Sequence, residues 1–274
     1  MLQHNKNKPK RPILQNDKNK KNINNEEVSK NLEIQFFNRP YMFLKSTYNC
    51  VIPCDIYQTW YTKDLPQKMR ERVELLKSQN PKFNHHLFDD NDCRNFIQEH
   101  FAQDVLDAYN SLIPGAFKAD LWRYCVLFIK GGIYMDIKLI CINGFKLIEL
   151  TETNHFVLDR PQNSIYNALM ASQKGNVFLY KAIRQIVDNV KNRYYGKGCL
   201  SVTGPELLGD VAIKNRFSVN IDLKHYKHGG YIIYKNRFIV STEYPEYDSE
   251  RRSTYNNINI KRYDQLWEER AIYA

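Results

Sequence analysis

The chain has 274 residues and a mass of 32.6 kDa, enough for one large domain or two small ones. Its composition is 43% hydrophobic and 13% aromatic, which excludes global disorder. No apolar run approaches the roughly 18–20 residues of a membrane-spanning helix, and the N-terminus lacks the apolar core of a secretion signal.

The formal net charge is +10. Residues 1–31 hold eight Lys or Arg against three Asp or Glu, a net of +5, with no aromatic residue. Half of the excess charge therefore lies in a segment too polar to build a core, which reads as a disordered basic arm. Residues 32–274 read as a single domain with the remaining charge dispersed. A concentrated basic stripe is missing, so nucleic acid is not the expected partner. The six cysteines form no CxxC pair and read as reduced thiols. Without a leader or a membrane segment, the sequence points to the cytoplasm.

After the arm, Val51–Trp60 reads as a strand, with Pro53 near its start. Asp64 is placed to cap a helix that includes Pro66 and runs to about Gln79, with Met69, Val73 and Leu76 at helical spacing. Lys82–Phe88 is a second strand. Asp89-Asp90-Asn91-Asp92 opens a further helix with acidic residues at its positive end. This alternation predicts a mostly parallel central sheet with covering helices.

The stretch from Ile113 to Lys138 carries the most information. Phe117, Leu121, Tyr124 and Phe128 form one helical stripe, with Asp120 and Arg123 adjoining on its flank. Gly131-Gly132 stops the helix. Ile133–Met135 then enters a buried strand and places Asp136 at its C-terminal end, where open α/β sheets collect ligands. Beyond it, Asn167–Asn192 reads as helical with a break at Gly175. Leu200–Pro205 is a turn before another helix, Tyr231–Val240 a hairpin, and Asp264–Tyr273 a C-terminal helix. His85 and His86 adjoin on opposite faces of a strand, which argues against a shared metal. His225 and His228 are weak candidates for a metal or phosphate contact. The tyrosines at 231, 234 and 244–263 are candidates for a sugar pocket, against the commoner reading of scattered surface residues.

Four pieces, in this order and spacing, resemble the glycosyltransferases with a DXD-type sugar-binding region, the family 32-like group. They are Ile52-Pro53…Gln58-Thr59-Trp60, Ala119-Asp120-Leu121-Trp122-Arg123-Tyr124, Gly131-Gly132-Ile133-Tyr134-Met135-Asp136 and Thr203-Gly204-Pro205. The C-terminal Tyr263-Asp264-Gln265-Leu266-Trp267 resembles the ending of members encoded by giant viruses. The resemblance implies an α/β, GT-A-type (Rossmann-like) domain with additional helices in its C-terminal half. It implies a nucleoside diphosphate sugar donor, UDP favoured over GDP, and a glycan or glycoprotein acceptor, with retention of configuration. Carried over by position, Gln58, Thr59 and Trp60 lie in the base-binding region, and Gly132 and Tyr134 belong to the cofactor-binding set. Asp120 binds a sugar hydroxyl and Arg123 holds Asp120 or the sugar. Asp136 faces the ribose and the metal, and Thr203, Gly204 and Pro205 border the acceptor.

The second acidic position of the motif is a lysine, giving Asp136-Ile137-Lys138. Three readings stay open. Asp136 and a carboxylate from elsewhere hold Mn²⁺ or Mg²⁺; Lys138 replaces the metal as a fixed charge beside the diphosphate; or the site is degenerate and the protein binds a sugar nucleotide or glycan without turnover. If the strand continues, alternation puts Asp136 and Lys138 on one face and Ile137 on the other.

Overall fold

The computed structural model describes residues 18–43, 45–160, 163–257 and 259–274. The chain divides into two units, residues 1–38 and 39–274. In the first, Lys18–Phe37 forms helix α1. The arm expected over 1–31 lies outside the described residues up to 17. From Lys18 onward the chain is helical, with no Gly or Pro to interrupt it.

The second unit begins with β1 (Asp55–Thr59), α2 (Gln67–Gln79), β2 (Asn84–Phe88), α3 (Asp90–His100), α4 (Gln103–Ser111), α5 (Gly115–Lys130) and β3 (Gly132–Met135). The strand–helix alternation of its first half is as expected, with α4 added. Asp89 caps α3, its carboxylate accepting from the Asp92 amide at 2.9 Å while Asp92 reaches back to the Asp89 amide. After β3 come β4 (Ile140–Cys141), β5 (His155–Leu158), β6 (Ile165–Ser172), α6 (Val177–Lys191), α7 (Pro205–Lys214), β7 (Leu223–His225), β8 (Tyr231–Tyr234), β9 (Arg237–Ser241), α8 (Tyr247–Asn257) and α9 (Tyr263–Glu268).

Among the described residues the strands form one sheet in the order β2-β1-β3-β6-β5-β7-β8-β9-β4. The α/β class holds. The sheet is mixed rather than mostly parallel: only β1–β2, β1–β3 and β5–β7 pair in parallel. The later strands are joined partly by tight turns, which permit only antiparallel pairing. In the β8–β9 hairpin, Lys235 and Asn236 both take positive φ, at 46° and 56°.

Side chains alternate between two cores. Tyr57, Tyr134 and Met170 face the helices α3–α7, whereas Ile56, Ile133 and Leu169 face a second cluster that includes Leu76 of α2. The helical reading of residues 167–172 is overturned. That stretch is β6, buried on both faces, and a continuous apolar run carries no period that distinguishes a central strand from a buried helix. Gly175, at φ 75°, separates it from α6. The C-terminal helix is shorter than expected, because Ile272 and Ala274 pair in extended fashion with Ile113 and Ser111. All six cysteines are unpaired. No helix of the described residues is long and apolar enough to cross a membrane.

Gly131-Gly132 does more than end α5. Gly132 has φ 105°, and a Cβ there would lie 2.9 Å from the Asp55 carbonyl oxygen and the Tyr57 ring. Gly175, by contrast, has open space around it. Gly132→Ala is therefore expected to cost about 2–3 kcal/mol, from backbone strain and clash together, and Gly175→Ala only about 1 kcal/mol. Urea unfolding of the two variants side by side checks this.

Candidate functional site

The α5–Gly-Gly–β3 connection folds the chain back on itself, so that Arg123 of α5 meets Asp136, the residue after β3. The Arg123 guanidinium sits 3.2 Å from Asp136 Oδ1 and 3.4 Å from Asp120 Oδ1. It also donates to the carbonyls of Ala119 and of Asn167 in β6, at 3.2 and 3.0 Å. It lies 4.3 Å above the Tyr134 ring, and the Tyr134 hydroxyl donates to Asp136 Oδ1 at 2.9 Å. Burial works against the guanidinium's charge, but Tyr134, Asp136 and Asp120 outweigh it and keep Arg123 firmly protonated.

Asp120 stands one layer deeper. Its Oδ1 accepts from Asn167 Nδ2 at 2.8 Å and its Oδ2 from Thr203 Oγ1 at 2.7 Å. Burial pushes this carboxyl up, while Arg123, Thr203 and Asn167 pull it back. The Tyr124 hydroxyl completes the network, accepting from Asn167 and donating to the Thr203 carbonyl.

A cleft of about 110 Å³ opens at the C-terminal ends of β1 and β3. Thr59, Trp60 and Tyr61 line one side, Asp90 the start of α3, and Gly115, Ala116, Ala119 and Arg123 the α5 wall. Tyr134, Asp136 and Ile137 form the floor, and Tyr247 and Tyr255 of α8 the roof. Gly115 is required here, since a Cβ would come within 2.5 Å of the Tyr61 ring. The Trp60 indole Nε1 is buried with no partner. Helix α8 is held over the cleft by Glu250, whose carboxylate accepts from the Lys68 and Met69 amides at 2.8 and 3.1 Å and from the Tyr244 hydroxyl at 2.7 Å. That carboxylate satisfies first-turn amides of α2, which its own N-cap, Pro66, leaves without a side-chain partner.

The structure brings Thr59, Trp60, Arg123, Tyr134 and Asp136 together and places the other expected residues elsewhere. Gln58 is fully buried rather than facing a base. Its Nε2 donates to the Asp136 carbonyl at 3.3 Å, so its Oε1 is left to accept from His85 Nε2 at 2.8 Å. Burial, with Lys77 and His86 adding to it, pulls His85 down to about 4, so the ring is neutral. Gly132 serves the backbone, as described above. Thr203 and Gly204 lie behind Asp120 rather than along an acceptor face: Thr203 is fully buried, and a Cβ on Gly204 would stand 3.3 Å from Asp120 Oδ2. Pro205 starts α7. Lys138 does not share a face with Asp136. The strand ends at Met135, Leu139 turns back to donate to the Asp136 carbonyl, and it is Ile137 that enters the cleft. Arg72 pins this turn by donating to the Lys138 carbonyl at 3.0 and 3.2 Å. His85, His86 and His225 are each taken by other partners, Gln58, Asp55 and Asp159.

The donor set is poor for a divalent cation held by the protein alone. Asp136 Oδ1 is already shared by Tyr134 and Arg123, a lysine occupies the second motif position, and no group of three or more His, Cys, Asp or Glu among the described residues could hold an ion.

With this geometry in place, the similarities can be read. Residues 66–156 match the family described as "Glycosyltransferase sugar-binding region containing DXD motif". The chain is similar to the DXD-type glycosyltransferases. It is 26% identical over 187 residues to the initiation-specific alpha-1,6-mannosyltransferase of Candida albicans, covering 58% of this chain and 49% of that protein. It is 33% identical over 93 residues to an uncharacterized glycosyltransferase of Acanthamoeba polyphaga mimivirus, covering 33% and 37%. Among solved structures, the PaToxG glycosyltransferase aligns with a TM-score of 0.48 and 18% identity over 72% of this chain and 77% of that one. The chain thus spans half or less of the length of these curated relatives. The matched segment contains Asp120, Arg123 and Asp136, and stops short of the roof.

Residues that sequence reasoning passed over are Asn167, Tyr61 and Asp90; of the tyrosines at 244–263 that it offered for a sugar pocket, Tyr247 and Tyr255 line the cleft. Burial pushes Asp90 up to about 6. The folded state therefore favours the protonated form. Stability from this group is full below the unfolded carboxyl range near 4 and is lost as pH rises through about 6. Relative to Asp90→Asn, the wild type is expected to lose about 1–3 kcal/mol between pH 4 and 7, read by urea unfolding across that range. Arg123→Met strands two carboxylates beside a buried cavity and is expected to cost about 3–5 kcal/mol by the same measurement.

Proposed function

We propose that this chain transfers a hexosyl unit from a nucleoside diphosphate sugar to a hydroxyl of a glycan or glycoprotein, with retention of anomeric configuration. The observation that carries the reading is the Arg123–Asp136 pair, set in the wall of an aromatic cleft at the C-terminal ends of β1 and β3. Trp60 and the roof tyrosines offer faces on which a base or sugar can stack. Asp136, with 27% of its side chain exposed, keeps an oxygen available for ligand hydroxyls, and Arg123 fixes where that oxygen points. Asp120 acts through Arg123 as a positioning residue. In the transfer, the bond from the anomeric carbon to the phosphate oxygen breaks with its electron pair going to the phosphate. The acceptor oxygen forms the new bond and releases its proton to solvent. The enzyme's task is to hold this geometry, exclude water and stabilise the departing charge.

Hexose is the first sugar class to test, and mannose the first member, because the fungal relative is named as a mannosyltransferase. UDP- and GDP-linked hexoses are to be compared. Retention rests on the family resemblance, and the anomer of the product read by NMR checks it. Release of free nucleotide from one of these donors is expected, with turnover falling about 100-fold or more in Asp136→Asn at an unchanged melting temperature. Donor binding without turnover in the wild type would replace the transferase with a sugar-nucleotide binder.

A further inference from the structure

A second hollow, of about 500 Å³, shares Tyr247 with the cleft. Tyr247 lines both spaces, which adjoin there. Two cations of the second hollow flank the Tyr247 ring: Lys138 Nζ at 5.2 Å and Arg251 Cζ at 5.5 Å from its centre. Lys138 pairs with no carboxylate among the described residues. Arg251 gives Nη2 to Asp248 at 2.8 Å, but its Nε is buried and unpartnered. The hollow's acids, Glu243 and Asp248, are exposed to water, whereas both cations are partly buried. A buried donor without a partner is costly, and two cations beside one aromatic ring leave donors and charge that an anion can meet.

The cleft itself lacks positive charge to spare. Arg123 stands between Asp120 and Asp136, so its charge is already taken up and leaves none for a diphosphate. A divalent ion would supply it, but the residues present make a poor site for one. We propose that Lys138 and Arg251, on either side of Tyr247, bind the diphosphate of the donor and take up the charge that develops as it leaves, in place of a divalent cation. This inference rests on the transferase reading above. As the anomeric C–O bond breaks and its electron pair passes to the phosphate oxygen, the ammonium and guanidinium meet the growing charge directly. The lysine that breaks the Asp-x-Asp pattern is then the residue that replaces the ion.

The test measures binding of GDP and UDP by calorimetry, in EDTA and in Mn²⁺, for the full chain and its variants, with melting temperatures as the check on folding. Expected are affinities for the bound nucleotide that agree within twofold in EDTA and in Mn²⁺. Lys138→Met and Arg251→Met should each weaken binding at least tenfold, and Lys138→Asp should bind only when Mn²⁺ is present. Binding by the wild type that collapses in EDTA and returns with Mn²⁺ overturns the proposal. So does metal-independent binding that both methionine variants retain. If neither nucleotide binds in either condition, the transferase reading itself fails, an outcome distinct from the other two.

Discussion

One buried guanidinium organises this protein. Arg123 touches its own helix through the Ala119 carbonyl, the middle strand β6 through the Asn167 carbonyl, and the end of β3 through Asp136. It can remain charged in that position only because two carboxylates and the Tyr134 ring compensate for its lost hydration. The compensation is mutual. Burial still pushes the Asp120 carboxyl up, and Arg123, Thr203 and Asn167 together oppose that shift. Much of the surrounding sequence follows from this constraint. Thr203 and Asn167 are polar at buried positions because Asp120 needs donors, and Gly131-Gly132 lets the chain reverse tightly enough for α5 and the end of β3 to meet.

The sheet divides the remaining work. Its parallel first part, β2-β1-β3, presents strand ends to the cleft. The largely antiparallel later part brings the chain back so that α8 can cover it. Each part alone leaves an incomplete site: the first has the charged floor without a roof, and the second has aromatic rings with nothing beneath them.

What was legible in the sequence was local. Asp120 and Arg123 lie within one helical turn, the glycine pair stops that helix, and Asp136 follows an apolar strand, so neighbouring residues in the chain suffice to place all three. Which of the tyrosines at 244–263 reach the cleft, and the role of Glu250, were not legible, because both depend on contacts across more than a hundred residues, such as Glu250 with the Lys68 amide. Two errors had specific causes. The alternation argument for Lys138 assumed a strand that in fact ends at Met135, and a turn breaks the period of two. Gln58, Thr203 and Gly204 were named from a motif, and a motif marks residues without saying which of them touch a ligand. Here they hold up those that face the cleft.

The Glu250 carboxylate has a wider consequence. It is at once the fastening of α8 and the cap of α2, so lifting the roof would strip first-turn amides of α2 of their acceptor. One carboxylate thus serves two elements, so the cover of the cleft and the first turn of α2 stand or fall together.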